Sequence, residues 1–237
     1  MNAVSKTHAL KGLYAITDSR LIPDHQFSAK VAAALRGGAR IVQYRDKRDS
    51  PALRRKLAAD LVYLCREHGA ISIINDDVEL AAEVGADGVH IGKDDAALSA
   101  ARARLGQGAV IGMSCYNRLE LALDAERQSA DYAAFGAFFP SRTKPNAVFA
   151  DLDLLREAKE KMNIPVCAIG GITAERAQAL VEVGADMLAV ISDVFAADDI
   201  EAAARRFAQL FNNHQEPDSK SRSTDAVQAK NRRKSAA

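Results

Sequence analysis

The sequence has little of what marks membrane, secreted or nucleic-acid-binding proteins. No apolar run approaches the roughly 18 residues that a membrane helix needs. The N-terminus lacks a basic segment followed by a long apolar stretch, so we expect no signal peptide. The net charge is +1, and it creates no overall field to attract nucleic acid or acidic membranes. We therefore expect neither as a partner, and any anion chemistry must come from locally placed charges.

Cysteine is also scarce. The three cysteines, Cys65, Cys115 and Cys167, form no C-x-x-C pair, and each lies in or beside an apolar run. An odd number at wide spacing argues against a disulfide framework and is typical of a reducing compartment. We expect three buried free thiols and a cytoplasmic protein.

The composition of the chain changes near Asn212. The 237 residues, 48% of them hydrophobic and 27% charged, can bury a core without disulfides or structural metals. Residues 1–212 alternate short β-branched runs with segments rich in Ala, Leu, Glu and Arg, whereas residues 213–237 contain hardly any apolar side chains. We expect one domain followed by a polar tail, which cannot offset its ordering entropy and stays disordered.

Eight short apolar runs alternate with segments of helical periodicity. The runs are Leu13–Thr17, Arg40–Arg45, Ile71–Asn75, Gly88–Gly92, Val110–Ser114, Tyr132–Ala137, Pro165–Gly170 and Met187–Ser192. The helical segments are Lys30–Leu35, Ala52–His68, Val78–Val84, Leu119–Gln128, Leu152–Lys161, Ala174–Val183 and Ile200–Phe211. Continuous apolar runs separated by helices predict parallel strands that are buried on both faces.

A short pattern repeats before every second strand. It reads Gly-Gly-Ala-Arg at 37–40, Val-Gly-Ala-Asp at 84–87 and 183–186, and Gln-Ser-Ala-Asp at 128–131, and each copy ends a helix. Repetition at every second βα unit predicts an α/β protein with a closed (β/α)₈ TIM barrel as its single domain. An open doubly wound sheet is the alternative, although no G-x-G-x-x-G opens the first βα turn.

In such a barrel the site lies at the carboxyl ends of the strands, and the second strand carries unusual polar residues there. Gln43, Arg45 and Lys47 alternate along the strand and are therefore expected on one face. A guanidinium and an ammonium group in an open barrel mouth suit phosphate oxygens. Alternatively, the two cations cap the strand and pair with Asp46 or Asp49.

Carboxylates follow the next two strands. Strand three ends at Asn75 and Asp76, and Asp95 follows strand four. Because neighbouring strands end on the same rim, Asp76 and Asp95 predict a Mg²⁺ site, for which carboxylates, phosphates and water are the usual ligands. Asn75 would then bond to phosphate. The aspartates could instead cap the helices that follow, as we expect of Asp77 and Asp94.

Hydroxyl groups lie at two further strand ends. Ser114 ends strand five, with neither a G-x-S-x-G motif nor a Ser-His-Asp arrangement around it. His90, inside strand four, is interpreted as a satisfied core residue. After strand six, two prolines enclose a segment that contains Ser141, Thr143, Lys144 and an arginine. Such a cationic loop can close over a polyanion, or it can be a solvated surface loop.

Strands seven and eight predict a second anion site. Gly170 and Gly171 follow strand seven, and Ile191 and Ser192 end strand eight before a short turn. Bare backbone N–H groups at this place form a recurring phosphate site of barrels, and glycine allows close approach. A cationic, metal-assisted site suits pyrophosphate, and a neutral backbone cradle suits a monophosphate. Together they indicate two phosphorylated substrates.

The order of these motifs resembles the thiamine phosphate synthase family from about Leu13 to Phe211. The matching segments are QYRDK at 43–47, IND at 74–76, VHIGKDD at 89–95, IGMSCYN at 111–117, FGAFFPSRTKP at 135–145, AIGGI at 168–172 and AVIS at 189–192. The resemblance implies a (β/α)₈ barrel that couples hydroxymethylpyrimidine pyrophosphate with hydroxyethylthiazole phosphate, uses Mg²⁺ and releases pyrophosphate.

The resemblance also implies a role for each matching residue. Gln43 would contact the pyrimidine, and Ser114 would lie beside it and its leaving group. Pyrophosphate would be held by Arg45, Lys47, Asn75 and Lys144, and Mg²⁺ by Asp76 and Asp95. The thiazole phosphate would be held by Ser141, Thr143, Gly171, Ile191 and Ser192. The catalytic set would be Arg45, Lys47, Ser114 and Lys144. Lys93 and Ser141 stand where the family more often has Gln and Thr.

Two other functions stay open at this point. A thiazole tautomerase of the same superfamily would need the monophosphate cradle and an acid or base, but neither a pyrophosphate site nor metal ligands. A barrel that binds a phosphorylated ligand without turnover would need no catalytic residue. The sequence also leaves open whether the chain forms a homo-oligomer.

Overall fold

The computed structural model describes residues 10–48, 50–92, 98–140 and 148–212, and its eight parallel strands form one closed barrel. The strands are β1 (Gly12–Ile16), β2 (Ile41–Tyr44), β3 (Ile71–Asn75), β4 (Gly88–Ile91), β5 (Val110–Tyr116), β6 (Tyr132–Phe135), β7 (Val166–Ile169) and β8 (Met187–Val190). All eight predicted strands are present, with bounds that agree within two residues. The predicted TIM barrel is confirmed.

Hydrogen bonding between the first and last strands closes the sheet. β1 pairs in parallel with both β2 and β8, and Tyr14 stands opposite Ile41 on one side and Ala189 on the other. The alternative of an open doubly wound sheet is therefore wrong, because its edge strands would have a single neighbour. Residues 213–237, the predicted polar tail, lie outside the described residues.

Helices connect the strands and cover the outside of the barrel. They are α1 (Phe27–Arg36), α2 (Pro51–Glu67), α3 (Val78–Val84), α4 (Leu98–Leu105), α5 (Leu119–Arg127), α6 (Leu152–Lys161), α7 (Ala174–Glu182), α8 (Ser192–Phe195) and α9 (Ile200–Asn212). Helix α4 was not among the predicted helices, because its two buried residues, Leu98 and Ala101, are too few to set a helical period. The first predicted helix began three residues too late, at Lys30 instead of Phe27.

Two apolar layers hold the barrel together. A small cluster of inward-facing residues fills the interior, and it includes Ile41, Ile71, Ile73 and Met187. A larger cluster packs the outer strand faces against the helices, to which α9 contributes Phe207. Because side chains alternate along a strand, each strand serves both layers. This double burial explains why the strands are continuous apolar runs in the sequence.

The repeated sequence pattern forms the same corner in each of its four copies. Its second residue takes a positive φ every time: Gly38 (101°), Gly85 (65°), Ser129 (69°) and Gly184 (109°). In three copies the final aspartate accepts a hydrogen bond from the backbone N–H of a neighbouring strand: Asp87 from Ser72, Asp131 from Ile111 and Asp186 from Val166. These corners lie at the amino-terminal end of the barrel, where residues serve stability and not the site.

The three cysteines are buried and free, as predicted. Burial raises the pKa of Cys65 and of Cys115 to about 12. Both thiols therefore stay protonated near neutral pH and are poor nucleophiles. Among the described residues, the longest helices are too short or too polar to cross a lipid bilayer.

Candidate active site

A cavity of about 1010 Å³ opens at the carboxyl ends of the strands. Seven of the residues predicted from the sequence line it: Gln43, Arg45, Asn75, Ser114, Gly171, Ile191 and Ser192. The barrel thus gathers groups from β2, β3, β5, β7 and β8 around one space. Its volume lies at the upper end of the roughly 300–1,000 Å³ that small-molecule sites occupy.

The other predicted residues are placed differently. Lys47 is exposed and does not line the cavity. Its spacing along the chain had predicted the face of Gln43 and Arg45, but β2 ends at Tyr44 and the alternation of side chains ends with it. Four predicted residues lie outside the described part of the chain: Asp95, Ser141, Thr143 and Lys144.

Arg45 lies near a buried carboxylate. Its guanidinium lies 4.0 Å from Asp18, which is 3% exposed. Hydrogen bonds from Arg20 lower the pKa of Asp18, so this carboxyl group is charged at neutral pH. Asp46, an alternative partner for Arg45 in the sequence analysis, pairs instead with Arg48 at 2.6 Å. Arg45 therefore lines the cavity beside a negative charge that favours its cationic side chain there.

The two aspartates after β3 have different environments. Asp77 accepts a hydrogen bond from the backbone N–H of Leu80 at 2.9 Å and caps α3, as predicted. Asp76, with a φ of 64°, lies beside the cavity-lining Asn75, whose side-chain amide donates to its carboxylate (Nδ2–Oδ2 2.5 Å). Within the described ranges no three potential metal ligands cluster together. Asp95, the second predicted ligand, is not among those residues.

The turn after β7 requires glycine. Gly170 and Gly171 have positive φ values of 101° and 62°. A Cβ atom on Gly171 would lie 2.4 Å from the carbonyl oxygen of Phe139 and 2.5 Å from that of Pro140. The backbone N–H of Phe139 also donates to the carbonyl of Gly170 at 3.0 Å. The segment after β6 therefore packs directly on this turn, and backbone without side chains faces the cavity.

We expect Gly171→Ala to lower the Tm by roughly 2–10 °C, because strain of about 1–3 kcal/mol per such residue translates into a shift of that size. Gly69→Ala is a matched control, since Gly69 also has a positive φ (65°) but no atom within 4 Å of an added Cβ. The control should lose less stability. Thermal denaturation measures both, and equal losses would mean that packing on residues 139–140 contributes nothing.

Two arginines that the sequence analysis missed add positive charge to this half of the cavity. Arg176, in the first turn of α7, lies with its guanidinium carbon 5.3 Å from the ring centre of Phe139. Arg206, on α9, lines the same cavity. Arg176 could have been predicted, because it follows the turn after β7 and site residues of a barrel lie at such strand ends. Nothing local marks Arg206, because the packing of α9 brings it there.

Tyr14 and His90 also line the cavity and were not predicted as site residues. His90 is buried, as expected of a core residue, with 8% exposure. Its Nε2 nevertheless lies 2.8 Å from Ser114 Oγ, so it contacts the site directly. The signal for both was available, since inward-facing polar residues are unusual in a barrel that branched apolar side chains normally fill.

The fold and the cavity together define a class, the (β/α)₈ barrels with a ligand cavity at the carboxyl ends of the strands. Within that class, the sequence profile of thiamine monophosphate synthase matches residues 13–194. The chain belongs to this family, as its motifs had indicated.

Individual relatives agree with the family profile. The thiamine-phosphate synthase of Acidithiobacillus ferrooxidans is 51% identical over 212 residues, which cover 88% of this chain and 98% of that protein. The thiamine-phosphate synthase of Thioalkalivibrio sulfidiphilus is 54% identical over 202 residues, 85% and 96% of the two chains. Among solved structures, thiamine phosphate pyrophosphorylase from Pyrococcus furiosus has a TM-score of 0.79 at 36% identity, covering 88% and 98% of the two chains.

Proposed function

We propose that this chain is a thiamine phosphate synthase. As a transferase it would join hydroxymethylpyrimidine pyrophosphate to hydroxyethylthiazole phosphate and release pyrophosphate. Family membership and the names of relatives at about half identity support the reaction. The observation that carries the proposal is the make-up of the cavity, with Gln43, Arg45 and Asn75 on one side and the glycine backbone of 170–171 on the other.

The side of the cavity near β2 and β3 suits the pyrimidine pyrophosphate. Arg45 offers a planar fork for phosphate oxygens, and the contact with Asp18 reduces the entropy lost on binding. Asn75 would donate its remaining amide hydrogen to the same anion. Gln43 and Ser114 would orient the pyrimidine ring. The sequence adds Lys144 to this set, and Lys47 would contribute at longer range because it lies outside the cavity.

The side near β7 and β8 suits the thiazole phosphate. Gly171, Ile191 and Ser192 line the cavity there, and their backbone N–H groups would bind phosphate without a full charge. Arg176 and Arg206 supply the charge that the backbone lacks. Ser141 and Thr143 would add hydroxyl donors, on the evidence of the sequence pattern alone.

The residues at the end of β3 fit Mg²⁺. Mg²⁺ takes oxygen ligands and usually keeps one or two carboxylates together with substrate phosphates and water, and Asp76 offers a carboxylate beside the cavity-lining Asn75. Asp76, together with Asp95 as the second carboxylate, would hold the ion. When bound, Mg²⁺ would neutralise negative charge on the departing pyrophosphate.

The chain's own groups then need to position and stabilise, not to attack. The C–O bond between the pyrimidine methylene and pyrophosphate breaks first, and both electrons leave with pyrophosphate, whose charge Arg45 and Lys144 stabilise. The electron-rich pyrimidine carries the cationic methylene. The thiazole nitrogen, held by its phosphate anchor, donates its lone pair to form the new C–N bond. The buried cysteines, with their raised pKa values, take no part.

Replacing Asp76 with asparagine should raise the Mg²⁺ concentration for half-maximal activity by about tenfold or more, because one charged oxygen ligand is lost. Asp77→Asn is the matched control, since asparagine caps a helix as well as aspartate does. A metal titration of the steady-state rate compares the two variants with the wild type. An Asp76→Asn titration that overlays that of Asp77→Asn would remove Asp76 from the metal site.

Mixing both substrates with Mg²⁺ and measuring thiamine phosphate and pyrophosphate tests the function itself. The proposal predicts the two products in equal amounts. Isomerisation of a thiazole phosphate without pyrophosphate release would identify a tautomerase. Tight binding of either phosphorylated compound without turnover would identify a binding protein, and both results would overturn the proposal.

A further inference from the structure

Five side chains on five strands form an unbroken hydrogen-bond chain across the barrel interior. In order, they are Gln43 (β2), Tyr14 (β1), Tyr132 (β6), His90 (β4) and Ser114 (β5). Successive polar atoms are 2.6, 2.9, 2.9 and 2.8 Å apart. The chain begins and ends at the two residues that the proposed function assigns to the pyrimidine ring. Its three inner members have no part in that function as described so far.

A glycine makes room for this chain. Gly112 on β5 stands between His90 and Tyr132 in the register of the sheet. A Cβ atom on Gly112 would lie 1.9 Å from the Tyr132 ring. Because that atom is absent, the Tyr132 ring passes over β5 and stacks on His90, with 5.6 Å between ring centres and 24° between planes. The contact between β4 and β6 thus depends on a missing side chain.

The two tyrosines act as neutral hydroxyl groups. Tyr14 is 1% exposed and Tyr132 is fully buried. Burial raises the pKa of both phenols far above the ordinary value, because the charged form would lose its hydration. Each hydroxyl therefore keeps one proton. It can donate one hydrogen bond along the chain and accept another.

Counting protons gives the chain a direction. The Gln43 amide nitrogen donates to the Tyr14 oxygen, so we assign the Tyr14 hydroxyl as donor to the Tyr132 oxygen and the Tyr132 hydroxyl as donor to His90 Nδ1. A neutral His90 then carries its proton on Nε2 and donates to Ser114 Oγ. The hydroxyl proton of Ser114 is left to point at the cavity, while Gln43 presents its carbonyl oxygen there. Turning the Gln43 amide over would reverse every bond together.

We propose that Tyr14, Tyr132 and His90 are positioning residues that force Gln43 and Ser114 to present opposite hydrogen-bonding character to the bound ring. The site then selects a heteroaromatic ring with a donor facing Gln43 and an acceptor facing Ser114. This inference rests on the proposed function, because it concerns the same ring subsite. The physical reason is that a mismatch at either end leaves a buried polar group unpaired somewhere in the chain.

Coupling between the chain's two ends tests the proposal. Gln43→Ala, Ser114→Ala and the double variant are compared by kcat/KM with the pyrimidine substrate, first in the wild type and then in a Tyr132→Phe background. In the wild type, the double variant should differ from the product of the single effects by about fivefold or more, as interacting residues do. In the Tyr132→Phe background the single effects should multiply. A coupling that Tyr132→Phe leaves unchanged would overturn the proposal.

Tyr44→Phe is the matched control for Tyr132→Phe. Tyr44 is also buried, and its hydroxyl bonds to Asp46 at 3.3 Å outside the chain. This control should leave the coupling between Gln43 and Ser114 intact. If Tyr132→Phe does not fold, as judged by thermal denaturation, Tyr14→Phe interrupts the chain at its next link and replaces it in the cycle.

Nitrogen-15 NMR of the imidazole groups provides a readout that needs no turnover. The protein contains five histidines, and the set of signals that is lost in His90→Gln identifies His90. In the wild type we expect the neutral form with its proton on Nε2, and in Tyr132→Phe a loss of this preference. An imidazolium, the Nδ1–H form or an even mixture in the wild type would overturn the proposal.

The experiments distinguish failure of the proposed function from failure of the coupling. A wild type that does not turn over the substrate pair would contradict the proposed function, whatever the NMR shows. A fully active wild type in which the effects of Gln43→Ala and Ser114→Ala are independent would contradict only the coupling.

Discussion

Replacing Arg45 with glutamine is expected to lower kcat/KM by about 10²–10³-fold, the range found when one preorganised donor to a developing negative charge is removed. The effect should be large because Arg45 lines the cavity and its guanidinium lies 4.0 Å from a buried, charged carboxylate, Asp18. Glutamine would remove the full positive charge that opposes the negative charge growing on the pyrophosphate as it leaves. Steady-state kinetics with both substrates measures the loss.

The control for Arg45 is an arginine with the same charge but no place at the cavity. Arg55, on α2, is 60% exposed and pairs with Glu83 at 2.7 Å, and exposed pairs of this kind contribute little. Arg55→Gln should keep wild-type kinetics. Circular dichroism should show both variants folded. Similar kinetics for the two variants would place the pyrophosphate elsewhere in the cavity.

Lys144→Ala is the second variant for which we expect a loss of orders of magnitude in kcat with the fold intact. Lys144 itself lies outside the described residues, but both flanks of its segment are described. Pro140 and Val148 line the cavity, and Ala137 exchanges backbone hydrogen bonds with Val148 (3.1 Å) and Ala150 (2.8 Å). Both described flanks of the segment therefore belong to the cavity wall. A cation within the segment is suited to the leaving pyrophosphate.

Two companion variants make the Lys144 result specific. Lys144→Arg keeps the charge and should retain more activity than Lys144→Ala, although not all of it, because the two cations differ in shape and hydration. Lys161→Ala removes an exposed lysine that pairs with Glu157 on α6, and it should leave kcat unchanged. Near wild-type turnover in Lys144→Ala would exclude the residue from the mechanism.

The strands were predictable because of their two-sided burial. A strand such as Ile71–Asn75 lies between the interior and the helix layer, so its apolar run is continuous and its bounds are sharp. Helix α4 was not predictable by the same means, since two buried residues are too few to set a period. The aspartates and glycines at the carboxyl ends could be recognised as candidate site residues, because polar residues and glycine rarely interrupt such apolar runs unless they have a functional or conformational role.

The contacts within the site could not be predicted, because the residues that make them meet only through space. Tyr14 and Tyr132 are 118 positions apart and contact each other across the barrel, and Arg206 reaches the cavity through the packing of α9. Lys47 is the reverse case, in which a local pattern predicted a place at the cavity that the fold does not give. Its spacing from Arg45 is that of a strand, but the strand has already ended at Tyr44.

The barrel, its four repeated corners, the family and the groups at the strand ends were all evident in the amino-acid sequence, because each of these depends on a local period or motif. Only the folded chain shows which of those groups share the cavity, that Asp18 lies near Arg45, and how Gln43 and Ser114 are joined through the interior. The reason is that closing the sheet brings residues together that are distant along the chain. Which side chains then meet is set by the register of the strands, and no local pattern records it.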